Sequence, residues 1–265
     1  MVLRFVNDGS RELSSIPFEP GESPFRIKGM AYRGHLDYVA ANVPGGVDAM
    51  LGALQPAQRR FFEQPFLAAS LYDVFPLAQA GIPCGRLTQQ SFLDFVRHRS
   101  EAQAASDVGG VYKVLLAFAS PEAVATRLPR LVSQYEDFTD VEMQRPTESA
   151  VEGSARGLPR ALFPWYATVC DAYVRVVVTK AGAKSCKLEA SYAELLRKKR
   201  PRNTRPSESL VDGQRSRGVR SHRREREMIR RVMSIPGGLA HYVVGSAYVM
   251  THLFLHQHRA KPLER

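Results

Sequence analysis

The net charge of this chain lies entirely in its last 73 residues. Residues 1–192 contain 20 basic and 20 acidic side chains, whereas residues 193–265 contain 17 basic and 6 acidic ones. A neutral segment rich in apolar residues can bury a hydrophobic core, but a segment dense in like charges with few apolar residues cannot. The partition therefore predicts a folded body followed by a basic tail, and each needs its own functional explanation.

The first half of the body is predicted to be helical. The Pro- and Gly-rich lead-in, residues 1–24, is expected to be irregular. Residues 25–43 have apolar side chains at helical spacing, and Thr88 is a suitable N-cap for a helix that runs through about residue 106. The sequence Ser120-Pro121-Glu122 predicts one more helix start, because it combines a cap, a proline in the first turn and an acidic side chain.

The second half of the body is predicted to form a strand–helix–strand unit. Residues 139–157 suit extended structure and a turn, and residues 183–193 alternate apolar and polar side chains as a strand does. Between them, residues 161–182 are a long apolar segment that ends at Gly182, and their length and spacing favour a buried helix. We therefore predict one α+β domain over residues 25–195.

The tail has two parts of different composition. Residues 196–238 are dense in Arg, Ser and Pro and are predicted to be disordered. Residues 239–258 are mostly apolar and are predicted to form a C-terminal helix near the lower length limit for a membrane span. The basic side chains that would make sequence-blind contacts with nucleic acid or an anionic membrane are Arg197, Lys198, Lys199, Arg200, Arg223, Arg224, Arg230 and Arg231.

The body resembles a myxobacterial (Myxococcales) paralogous family built on a domain of unknown function. The resemblance is spread over residues 25–194, in FRIKGMAYRGHLDYV, LGALQPAQRRFF, ASLYDVFPL, FVRHRSEAQAA, ASPEAVATRLPRLVSQYEDF and CDAYVRVVVTKAGAKSCKLEASYAE. The layout of that family is similar to heme-nitric-oxide-binding sensor domains and to four-vinyl-reductase-like ligand-binding domains. The resemblance stops after residue 195, so the rest of the chain is either an evolved basic tail or a frameshifted C-terminus.

The similarity to heme sensors implies an axial histidine, which this chain lacks at the corresponding place. The helix concerned reads EAVATRLPRLVSQY, with Gln134 and Tyr135 in the region of the ligand. A tyrosine ligand is the rarer alternative. The Tyr-x-Ser-x-Arg motif that holds heme propionates is reduced to Ser154 and Arg156. We therefore expect no heme, no other cofactor and no metal.

Aromatic side chains are the best candidates for a ligand pocket in the body. Trp165, Tyr166 and Tyr173 recur along the predicted helix, a spacing that favours core packing over pocket lining. Tyr135, which lies in the region of the expected axial ligand, is the fourth candidate.

Acidic and thiol side chains offer weaker signals. The cluster of acidic residues at 136–142 favours a solvated loop over a cation site. The three cysteines are widely spaced and are expected to act as small apolar residues in a reducing compartment: Cys84, Cys170 and Cys186. The sequence contains no set of side chains that would form a catalytic triad or dyad.

Three functions follow in order of preference. The first is a non-enzymatic, cytoplasmic sensor of a small ligand, or a domain that binds a protein partner. The second is an adaptor that acts through its basic tail on nucleic acid or an anionic membrane. Catalysis is not expected, and C-terminal membrane anchoring is a minor alternative to a cytoplasmic location.

Overall fold

The computed structural model describes residues 5–109, 123–124, 127, 135–144, 150–194 and 247–256. Within them the chain is α+β, which confirms the predicted fold class. The helix start predicted at Ser120-Pro121-Glu122, the basic segment 196–238 and its eight candidate contact residues lie outside the described residues.

The first half of the chain is helical, with one short pair of strands. Strand β1 (Arg26–Lys28) pairs antiparallel with β2 (Leu71–Asp73). The helices are α1 (Ser10–Ser14), α2 (Gly29–Asn42), α3 (Gly46–Ala53), α4 (Pro56–Phe62), α5 (Val74–Leu87) and α6 (Phe92–Gly109).

Two local predictions in this half need correction. The lead-in is not irregular throughout, because α1 forms there and buries Leu13 completely. Helix α6 begins at Phe92 rather than after Thr88, whose hydroxyl instead donates to the Cys84 carbonyl at the end of α5. The start of α6 is stabilised by Ser91, whose hydroxyl accepts a hydrogen bond from the Asp94 backbone N–H at 3.1 Å.

The carboxylate of Asp73 ties the lead-in to this helical half. Asp73 is fully buried and accepts hydrogen bonds from the backbone N–H groups of Gly21 at 3.0 Å and Ser23 at 3.1 Å. It also caps α5 by accepting from the Phe75 N–H at 3.0 Å. A buried carboxylate is tolerated here because backbone donors satisfy its oxygens.

The second half contains a four-stranded antiparallel sheet. Its strands are β3 (Asp140–Gln144), β4 (Ala150–Arg156), β5 (Ser185–Glu194) and β6 (Ala247–His256), in the spatial order β3-β4-β6-β5. Strand β6 pairs with β4 from Ala150↔Phe254 to Arg156↔Tyr248, and with β5 from Ser185↔His256 to Glu194↔Ala247.

The C-terminal segment 239–258 therefore contains a strand where a helix was predicted. The sequence AYVMTHLFLH of β6 is rich in β-branched and aromatic residues, which suit a strand with a partner on each side. A continuous apolar run of this length suits either a buried helix or a buried strand. The sequence alone does not show which, because the choice depends on the strands with which the segment pairs. Long-range pairing with β4 and β5 decided the outcome.

The long helix α7 (Phe163–Lys180) is confirmed close to its predicted ends, and β5 follows it as expected. A 3-10 turn, Arg160–Leu162, precedes α7. At the other end Gly182 has φ 98°, and the Ala183 N–H donates to the Val178 carbonyl at 3.0 Å. Glycine adopts this left-handed conformation without strain, and the turn provides a hydrogen-bond donor for a carbonyl in the last turn of α7.

Helix α7 belongs to the core. In the described part of the chain, Arg160–Lys180 is the one helix long and apolar enough to cross a membrane, but most of its residues are buried against the rest of the protein. Its N-terminal half packs on the aromatic core of the helical half, and its C-terminal half packs against Leu188 and Cys186 of β5.

A chain ending at residue 195 should be less stable than the full chain. Removal of β6 leaves β4 and β5 without the strand that joins them, so each exposes an unpaired edge and the sheet is split. We expect the thermal midpoint to fall by at least several degrees and a dye for exposed apolar surface to bind, as measured by thermal unfolding of both chains.

Two further variants separate loss of the strand from loss of the tail. Thr251→Pro interrupts the ladders of β6 at its centre and should reproduce the loss, whereas a chain that lacks only residues 258–265 should match the full chain. Equal midpoints for the full chain and the chain ending at 195 would contradict the structural role of β6.

Candidate ligand-binding cavity

An apolar cavity of about 190 Å³ lies between α7 and the sheet. Helices α2, α5 and α6 of the helical half close it through one or two side chains each, Ala31, Leu77, Arg99 and Gln103. The site therefore lies where the two halves of the fold meet, which is a common position for a small-molecule site.

Strand alternation supplies the sheet side of the wall. Val141 and Met143 of β3 and Leu188 and Ala190 of β5 line the cavity, whereas intervening residues such as Ser191 are exposed. This period of two is the pattern of a sheet with one covered face. The alternation predicted for residues 183–193 therefore accounts for the side chains with which β5 lines the cavity.

The four aromatic residues predicted as pocket candidates all line this cavity. Trp165 and Tyr166 are buried, and Tyr135 and Tyr173 are half-buried. Trp165 and Tyr166 also belong to the main hydrophobic core. One face of α7 thus contributes to the core, which the aromatic spacing favoured, and also lines the cavity.

Asp107 organises one polar corner of the cavity. Its carboxylate accepts hydrogen bonds from the hydroxyls of Tyr135 at 2.9 Å and Tyr173 at 3.0 Å, and from the Gln103 amide at 2.8 Å. Burial, followed by the charges of its neighbours, raises the pKa of Tyr173, so its hydroxyl stays protonated.

Gly34 of α2 makes room for the Gln103 side chain in this corner. A Cβ at position 34 would lie 1.7 Å from the Gln103 Oε1 atom, so any larger residue would displace the amide. The close approach of α2 and α6 therefore fixes where Gln103 faces the cavity.

Glu136 also lines the cavity, which corrects the prediction that the acidic cluster is a solvated loop. Its side chain is 7% exposed, and its Oε1 atom accepts hydrogen bonds from the hydroxyls of Tyr166, at 3.1 Å, and Thr139. Burial raises its pKa to about 8 despite these bonds. Glu136 is therefore mainly neutral at pH 7. Asp137, Asp140 and Glu142 of the same cluster are exposed.

Arg99 is a wall residue that the sequence analysis missed. It is 8% exposed, and its Nη2 atom donates to the Ala31 carbonyl at 2.7 Å. A signal was present in the sequence, since Arg99 lies four residues after Phe95 and three after Val96, both buried on α6. A charged residue on the buried face of a helix indicates either a structural pair or a binding role.

The remaining candidates from the sequence are divided between the wall and the surface. Ser154 lines the cavity, but Arg156 is exposed and pairs with Glu142 at 3.2 Å. Cys170 lines the wall, and burial raises the pKa of its thiol to about 12, so it behaves as a small neutral side chain. Cys84 and Cys186 are buried free thiols.

The fold is similar to that of H-NOX proteins, although the sequences have diverged. An unliganded Fe(II) H-NOX protein mutant from K. algicida aligns over 88% of this chain and 98% of its own, with 8% identity and a TM-score of 0.51. An Fe(II) H-NOX mutant from S. oneidensis aligns over 87% and 97%, with 11% identity and a TM-score of 0.50. The similarity confirms the predicted fold-level relation to heme-nitric-oxide-binding sensor domains.

Comparison at the level of sequence adds no relative. No protein-family profile matches the chain, and no curated protein matches it. Among the described residues, no group of three His, Cys, Asp or Glu side chains is arranged to hold a metal ion.

The lining residues that the structure describes do not fit the heme that this fold implies. A cavity of about 190 Å³ is only slightly larger than one of about 150 Å³ that holds benzene, and a porphyrin contains four pyrrole rings. No histidine is among the described lining residues. The hydroxyls of Tyr135 and Tyr173, the tyrosines at the polar corner, already donate to the Asp107 carboxylate.

The stability of the protein should depend on pH through Glu136. Its pKa is about 8 in the folded protein and near 4.5 in the unfolded chain, so the folded state binds one more proton between these values. The contribution of Glu136 to stability is therefore greatest below about pH 4.5 and falls as pH rises to about 8, by up to about 1.4 kcal/mol per pH unit.

Glu136→Gln should remove this slope because the amide does not titrate. Denaturant unfolding at several pH values between 5 and 9 measures the difference between wild type and variant, and Glu63→Gln on the exposed end of α4 is the control. Parallel stability curves for wild type and Glu136→Gln would contradict a neutral, buried Glu136.

Proposed function

We propose that the body of this chain is a non-enzymatic sensor domain for a small, largely apolar ligand that binds in the cavity beneath α7. The observation that carries the proposal is that all four predicted aromatic residues lie around one cavity. Membership of the myxobacterial paralogous family and a cytoplasmic location are part of the same proposal.

The chemistry of the wall favours binding over catalysis. The titratable side chains Glu136, Cys170 and Tyr173 are all held in their neutral forms by burial. A nucleophile needs an adjacent base or a lowered pKa, and these groups have raised pKa values. The fold similarity to H-NOX proteins supports a sensor, by analogy of fold alone.

The position of the cavity suits signalling to a protein partner. A ligand there would contact α6 and α7 as well as β3 and β5, so its binding energy could favour one arrangement of helices and sheet over another. We propose that the partner recognises this change on the outer surface of the body.

The test uses toluene as a neutral probe and Trp165 as the reporter. Trp165 is the only tryptophan in the chain and lines the cavity, so its emission reports on occupancy. Toluene should change this emission in a saturable way. Ala190→Leu should weaken binding at least tenfold, because the added side chain occupies the cavity from β5.

Ser191→Leu provides the matched control for the toluene titration. It introduces the same side chain on the same strand, but at an exposed position on the opposite face. Unchanged toluene affinity in Ala190→Leu, or no saturable response in the wild-type chain, would contradict the proposed function.

A further inference from the structure

We infer that the ligand is a monocarboxylate with an aromatic or medium-chain aliphatic body, and that its carboxylate pairs with Arg99. The inference rests on the proposed function, that the cavity binds a small ligand, and adds the chemical class of that ligand. It draws on the geometry of Arg99, on the state of its neighbours and on the size of the cavity.

The guanidinium of Arg99 is buried with unused hydrogen-bonding capacity. Its Nη2 atom donates to the Ala31 carbonyl at 2.7 Å, but its Nε atom is buried and has no hydrogen-bond acceptor among the described residues. The structure shows no ion pair between Arg99 and another described residue. A buried cation without a counter-ion is costly, and this one faces the cavity.

The nearby ionisable groups do not replace a ligand anion. Asp107 stabilises the charge of Arg99 at a distance, but its oxygens accept from Gln103, Tyr135 and Tyr173. His35 is buried on α2, and burial, with the charge of Arg99, lowers its pKa to about 3, so it is neutral. Burial lowers the pKa of Arg99 only to about 10, so the guanidinium keeps its charge at pH 7.

Apart from Asp107, which lies behind the two tyrosines, the described lining residues carry no charge that balances Arg99 at pH 7. Arg99 is the only basic residue among the described lining residues, and Glu136, their only carboxylic acid, is mainly neutral. The described lining residues therefore present one positive charge among mostly apolar side chains. One cation matches a monoanion better than a phosphate dianion, which would bring an unpaired negative charge into the cavity.

A carboxylate is the anion that best suits these constraints. The planar guanidinium donates parallel hydrogen bonds to both oxygens of a carboxylate, and Nε is among the donors available. Beyond this group the ligand would contact Ile27, Leu77, Trp165, Val169 and Leu188, all apolar. The cavity has a volume of about 190 Å³, and a cavity of about 150 Å³ holds benzene. The ligand is therefore expected to be one ring with a short chain, or an aliphatic chain of comparable size.

The test compares 3-phenylpropanoate with its methyl ester on the full chain, with Trp165 emission as the readout. The two probes share the apolar body and differ in the charge. Wild type should bind the acid at least tenfold more tightly than the ester. Arg99→Met should remove this preference, while Arg99→Lys should keep part of it because the charge remains. Arg33→Gln, at an exposed position on α2, should behave as wild type.

The outcomes separate this inference from the function on which it rests. Equal binding of acid and ester by wild type, or an unchanged preference in a folded Arg99→Met, would overturn the role of Arg99 but leave a ligand-binding cavity. Binding of neither probe, nor of toluene, would overturn the proposed function as well. If Arg99→Met does not fold, the comparison of wild type with Arg99→Lys decides. A preference for the acid that is as strong in Arg99→Lys as in wild type would overturn the paired hydrogen bonds to Arg99, because each ratio is measured within one folded protein.

Discussion

The buried carboxylate of Asp171 holds together the elements that form the cavity. Asp171 is fully buried on α7 and accepts from Arg97 of α6 at 3.1 Å and from Arg175 of α7 at 2.8 Å. Arg175 also donates to the Cys186 carbonyl of β5 at 2.7 Å. One charged cluster thus fixes the spacing of α6, α7 and the sheet. Loss of one partner from such a buried pair typically costs about 3–5 kcal/mol, because the other charge is left unpaired.

With this spacing fixed, the wall chemistry follows from burial. Glu136, Cys170 and Tyr173 are held neutral, and Arg99 keeps its charge because a guanidinium deprotonates only at high pH. The fold is similar to that of H-NOX proteins, but the described wall residues suit a small organic ligand. Similar folds commonly carry different sites, so the side chains rather than the fold indicate the ligand.

The sequence predicted those features that depend on local pattern. The apolar spacing and the terminal glycine of 161–182 predicted α7, and alternation predicted β5. The predicted pocket candidates line one cavity: Trp165, Tyr166, Tyr173 and Tyr135. The features that were missed depend on distant partners. Strand β6 forms only because β4 and β5 pair with it on either side. Glu136 is buried by α7, whose Tyr166 donates to it, and the local acidic sequence does not show this distant contact. Arg99 had a local signal, but its meaning depended on which charges lie nearby.

The central claim is that this H-NOX-like fold encloses a site for a small ligand and not for heme. The most direct measurement is native mass spectrometry of the full chain, with its absorption spectrum, after expression with ample heme. The account predicts a protein mass without heme, no Soret band, and any bound molecule released on unfolding as a small organic acid. A stoichiometric heme adduct with a Soret band would contradict it.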